Sequence, residues 1–95
     1  MAITSQTLVQ LAQSQSSSLL GKETIVLNYD IGNYYELNEI GGFIWSLLQA
    51  NNAVSVEKIK ERLLNEFEVE EAVCSQELAV FLENLLHEKL IETTT

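Results

Sequence analysis

The chain has 95 residues, enough for one small domain, and 46% of them are hydrophobic, enough for a core. Fourteen acidic residues against five basic ones give a net charge of -9, which repels nucleic-acid phosphates and anionic membranes and favours a basic or neutral partner. A single cysteine excludes an internal disulfide and fits the reducing cytoplasm, and nothing reads as a signal peptide or as the roughly 20-residue apolar run of a membrane span.

Taken in order, residues 1–15 are polar and rich in Gln and Ser. They are expected to be weakly ordered, with Leu8, Val9 and Leu11 offering a weak strand at most. Residues 16–37 read as sheet. Ser16–Leu20 is a candidate first strand, and Gly21-Lys22 a tight turn. Glu23–Tyr29 follows, with Ile25 and Leu27 on one face and Val26 and Asn28 on the other. Asp30-Ile31-Gly32-Asn33 turns the chain again, Gly32 being free to take positive φ. Asn33–Leu37 then returns as a third strand. Two short connections in succession imply an antiparallel meander with this third strand at its edge.

Residues 38–92 read as three helices. Asn38 suits an N-cap, Glu39 complements the helix dipole, and Ile40, Ile44, Leu47 and Leu48 share one face of a helix running to about Gln49. Gly41-Gly42 inside it costs roughly 1 kcal/mol per glycine relative to alanine; a missing side chain there would let the sheet or another helix approach. Ser55 caps a second helix, Val56 to about Glu66, with Val56, Ile59 and Leu63 inward and Glu57 and Glu61 alternating with Lys58, Lys60 and Arg62 on a solvated face. A third helix is expected from about Glu71 to Lys89. Its core stripe is Cys74, Leu78, Phe81, Leu82 and Leu85. A second, mixed stripe is Val73, Glu77, Val80 and Asn84. Leu90-Ile91 can pack back on the core, and Glu92 with the three threonines reads as a loose tail. The expected fold is α+β, a winged helix-turn-helix-like domain in which a three-stranded antiparallel sheet is followed by three helices, one domain over 1–95.

The residues offer little for catalysis. Cys74 and His87 lie on one predicted helix, about 20 Å apart at about 1.5 Å per residue, too far for a nucleophile–base pair. Glu83 and His87, at i and i+4, provide two ligands where a metal site needs more. Gly41-Gly42 lies within a helix and is no phosphate loop. The expectation is no enzyme, no metal and no cofactor. The third helix and its approach carry Glu70, Glu71, Glu77, Glu83 and Glu88 against Lys89, which opposes insertion into a DNA groove.

The third strand is the more informative feature. An edge strand exposes unpaired N–H and C=O groups, and this one carries neither the Lys nor the Pro that usually blunts an edge. A peptide could add as a further strand and place side chains between strand and third helix. The candidate site is therefore Asn33, Tyr34, Tyr35, Glu36 and Leu37 on the strand, with Val73, Glu77, Val80, Phe81 and Asn84 on the helix. Tyr35, in phase with Leu37, is expected to pack inward; Tyr34 is out of phase. The opposite helix flank, with Ala72, Ala79 and Leu86, remains an alternative.

Gly32-Asn33-Tyr34-Tyr35-Glu36-Leu37-Asn38-Glu39-Ile40-Gly41-Gly42-Phe43-Ile44-Trp45-Ser46-Leu47-Leu48 resembles the signature of PqqD-like proteins, G-x-Y-Y-x-L-N-x-x-G-x-x-I-W-x-L-L. Gly21–Asn28 is similar to that family's G-x-E-x-V-x-L-N strand. Phe81–Glu92 is similar to its closing F-L-x-x-L-x-x-x-G-L-I-x, with Lys89 where glycine is common. The resemblance covers about residues 16–92. It implies a RiPP recognition element: a non-catalytic, winged-helix-like adaptor that binds the leader of a ribosomally synthesised precursor peptide by strand addition to the third strand, against the third helix. Such a protein serves natural product biosynthesis as a peptide chaperone. Its partners would be the precursor leader peptide and a modifying enzyme, either a radical SAM enzyme, as in PQQ biosynthesis, or a leader peptidase, as in lasso peptide biosynthesis. The alternative is a regulatory winged-helix interaction module, with the same edge pairing two copies into a dimer.

Overall fold

The computed structural model describes residues 3–12, 15–21, 23–28 and 32–94. Antiparallel strands β2 (Gln15–Leu20), β3 (Glu23–Asn28) and β4 (Asn33–Leu37) form a meander in that spatial order, with Val26 opposite Tyr35 and Thr24 opposite Leu37. Gly21 and Gly32 lie in the connections at φ 65° and 71°, a conformation that glycine adopts without steric cost. The expected meander is therefore present, and β4 is its edge. Alternation along β3 buries Thr24, Val26 and Asn28 against the helices.

Asn38 converts sheet into helix. Its backbone is extended, its side-chain oxygen accepts the Gly41 N–H at 2.8 Å, and its carbonyl accepts the Gly42 N–H at 2.7 Å. Helix α1 (Glu39–Ala50) follows and buries Ile44, Trp45, Leu47 and Leu48. Ile40, expected on the same face, is instead 40% exposed: in the first turn it lies beyond the packed layer. Ser55 caps α2 (Val56–Glu66) by accepting the Lys58 N–H at 3.1 Å. Helix α3 (Glu71–His87) buries Cys74, Leu78, Leu82 and Leu85, with Phe81 half-buried. It ends two residues before the expected Lys89. There Leu90 N–H reaches Leu85 O at 2.9 Å and Lys89 N–H reaches Leu86 O at 3.0 Å, a Schellman closure with Lys89 at φ 61°.

A second sheet departs from expectation. Strand β1 (Leu8–Leu11) lies between β5 (Val54–Ser55) and β6 (Ile91–Thr94), antiparallel to both. The supposed loose tail is thus a strand, and the polar N-terminal stretch contains its partner. The reason is burial: Val9, Leu90 and Ile91 lie in the core with Val54, and backbone taken there must hydrogen-bond. The largest fully buried side chains, including Trp45, Leu48, Ile59, Leu82 and Leu90, join both sheets and the helices into one core. The fold is α+β and winged-helix-like. Among the described residues no helix is long and apolar enough to cross a membrane.

Candidate functional site

Strand β4 pairs with β3 along one edge, and among the described residues no strand pairs with the other. Tyr34 is 68% exposed, and Asn33 and Glu36 are also exposed. Leu37 is buried, so its side chain is not available to a partner. Tyr35 is half-buried and packs against the core, as its phase with Leu37 requires. Its hydroxyl donates to Glu88 Oε2 at 2.6 Å. That carboxylate bond, together with burial, holds the phenol above its usual pKa against a smaller opposing effect of Asn33. Asn28 Nδ2 donates to the Glu88 carbonyl at 3.2 Å. The C-terminal end of α3 is thereby fastened to β3 and β4.

At the other end of β4, where Asn38 starts α1, a pocket of about 310 Å³ opens between the three helices. Ile40 and Gly41 of α1, Leu63 and Phe67 at the end of α2, Val69 of the connection, and Val73, Glu77 and Phe81 of α3 form its walls. Ile40, Val69 and Val73 are 40%, 38% and 50% exposed, an apolar rim that packing leaves uncovered. Both glycines of α1 have a visible cause. A Cβ on Gly41 would stand 3.2 Å from the Phe81 ring, and one on Gly42 would stand 2.7 Å from Thr24 Oγ1. Helix and sheet approach as closely as the missing side chains permit. Phe67 is braced from behind by Phe43, edge to face at a centroid distance of 5.4 Å. Cys74 also reaches the pocket wall, and burial pushes its thiol pKa up, which favours the protonated form.

Of the helix residues singled out from the sequence, Val73, Glu77 and Phe81 line the pocket. Val80, 52% exposed, and Asn84, also exposed, continue along α3 outside it. The pocket opens on the Val73–Glu77 flank; Ala72, Ala79 and Leu86 are not among its walls. Sequence reasoning missed Ile40, Phe67 and Val69 as site residues; Ile40 it placed on the core face of the first helix. Val69 did carry a signal: it is a lone apolar residue between Glu68 and Glu70. Among the described residues no cluster of His, Cys, Asp and Glu is suited to a metal ion.

One solved structure, TbiB1 in complex with the TbiA(beta) leader peptide, is 26% identical at a TM-score of 0.80, covering 87% of this chain and 94% of its own. Another, a lasso peptide synthetase B1 complexed with the leader peptide, is 21% identical at a TM-score of 0.74, covering 88% of this chain and 96% of its own, and speaks to the fold alone. A search among curated proteins gave no match. The family model of coenzyme PQQ synthesis protein D (PqqD) matches residues 23–91. That match runs from the first residue of β3 to the first residue of β6, through all three helices, and the chain belongs to the PqqD family.

Proposed function

We propose that this protein is a non-catalytic adaptor that binds the leader segment of a ribosomally synthesised precursor peptide and presents it to a modifying enzyme or leader peptidase. The observation that carries the reading is the free edge of β4 running into an apolar pocket beside α3. A leader added as a strand would pair with the outward-facing backbone groups of β4, those of alternate residues between Asn33 and Leu37, and alternate leader side chains would face α3. One anchoring side chain could then enter the pocket at the β4–α1 junction, with Val73, Glu77 and Phe81 around it. The similarity to TbiB1, a protein solved with a leader peptide, supports the same reading. So does family membership. The adaptor works in the cytoplasm, where its single thiol stays reduced.

Isothermal titration of the protein with the synthetic leader of a precursor peptide from the same genome tests this. Saturable one-to-one binding is expected from the leader and none from the core peptide; an inert leader would overturn the reading. Self-pairing of β4 is the rival use of the same edge. Sedimentation at two concentrations, with and without leader, separates the two: a dimer that dissolves as leader binds shows one edge serving both.

A further inference from the structure

Resting on the leader-binding reading, we infer that Glu77 is the specificity-determining residue of the pocket and selects a cationic side chain, Lys or Arg, on the incoming strand. Among the described residues Glu77 is the one charged residue in the pocket wall; the rest of that wall is apolar apart from Asn38 and the Cys74 thiol. It is exposed in the unoccupied protein, and it has no hydrogen-bond or ion-pair partner among the described residues. Water solvates it there at no cost. A strand laid over the pocket removes that water, and a carboxylate taken out of water needs a donor or a countercharge.

Among the described residues no basic side chain stands in the pocket wall to supply it. Lys60, on α2, is engaged with Glu71 at 3.0 Å. The peptide must therefore bring the partner. A neutral donor such as a tyrosine hydroxyl would meet the hydrogen-bonding need, but a cation also meets the field of a chain with net charge -9. The remaining walls suit a long basic side chain. Its methylene stem can lie along Val73, Ile40 and the Phe81 ring while its head reaches Glu77. The pocket thus reads as a slot for an amphipathic basic residue.

A random nine-residue peptide library displayed on phage, panned against the wild-type protein, E77Q and E77K, tests the inference. Glu77 is on an exposed helix face, so all three proteins should give the same circular dichroism. Wild type is expected to enrich peptides with one recurrent Lys or Arg in an otherwise β-forming pattern. E77Q should lose that preference, and E77K should turn it to Asp or Glu. For one enriched peptide made synthetically, replacing the basic residue by norleucine should weaken binding about tenfold to wild type and little to E77Q. Enrichment of the same residue by all three proteins, or of a neutral aromatic in place of the cation, would overturn the role of Glu77 and leave leader binding standing. Enrichment of no peptide by any of the three would overturn both.

Discussion

Lys89 holds a backbone conformation that costs an L-residue about 1 kcal/mol or more and costs glycine almost nothing. Since its N–H, and that of Leu90, close α3 in either case, Lys89→Gly should stabilise the protein by about 1 kcal/mol, read as a higher urea midpoint at unchanged m-value. Gly42 is the opposite case. A side chain there enters the space of Thr24, which is buried in β3, so Gly42→Val should destabilise by about 2 kcal/mol, read as a lower thermal midpoint. Both positions were visible in the sequence as anomalies: two glycines within a helical pattern, and a lysine at a helix end where glycine is common. What the sequence could not tell was which neighbour needed the space. Gly41 yields to Phe81 and Gly42 to Thr24 because α3 and β3 flank α1 on different sides, a fact of packing and not of local pattern.

At the scale of elements, β4 owes its open edge to chain order. The meander ends with it, and the chain leaves the sheet at Asn38 for α1 instead of turning back as another strand. Periodicity made this legible, because the apolar spacing changes from two to 3.6 across Asn38. The same reasoning missed β6 and undervalued β1. Their pairing joins residues 8–11 to 91–94, and neither segment has enough apolar alternation to announce a strand alone; Val9, Leu90 and Ile91 become decisive through contacts distant in sequence. The pocket was half legible for a related reason. Val73, Glu77 and Phe81 follow from helical phase, whereas Ile40, Phe67 and Val69 come together only when three helices meet. Proline in β4 tests the edge directly, since it removes one backbone donor. Tyr34 is mostly exposed, so little packing is lost with its side chain. Tyr34→Pro should weaken leader binding at least about tenfold, the scale of one hydrogen bond with its strand geometry, while the helical circular dichroism persists. Loss of the fold would instead show that β3 uses this N–H.

Over the whole molecule, charge sets two responses with opposite signs. The acidic residues are unevenly spread: one basic and four acidic residues precede position 55, and four basic and ten acidic follow it. The helical part therefore repels itself more than the sheet does; α3 itself carries Glu71, Glu77 and Glu83, of which Glu77 stands in the pocket wall. Among the described residues Lys60–Glu71 is an ion pair, on a surface where such a pair adds little. Screening should then favour the folded state, because the Debye length falls from about 30 Å at 0.01 M to about 8 Å at 0.15 M salt and takes long-range repulsion with it. Sodium chloride raised across that range is expected to raise the thermal midpoint. Binding of a cationic leader should respond the other way, its affinity falling a few-fold over the same range, since the attraction being screened is between unlike charges. A neutral leader held by backbone pairing and an apolar anchor would keep its affinity while the midpoint still rose. Measuring both quantities in one salt series thus separates the acidic surface as a general destabiliser of the fold from the acidic surface as part of recognition.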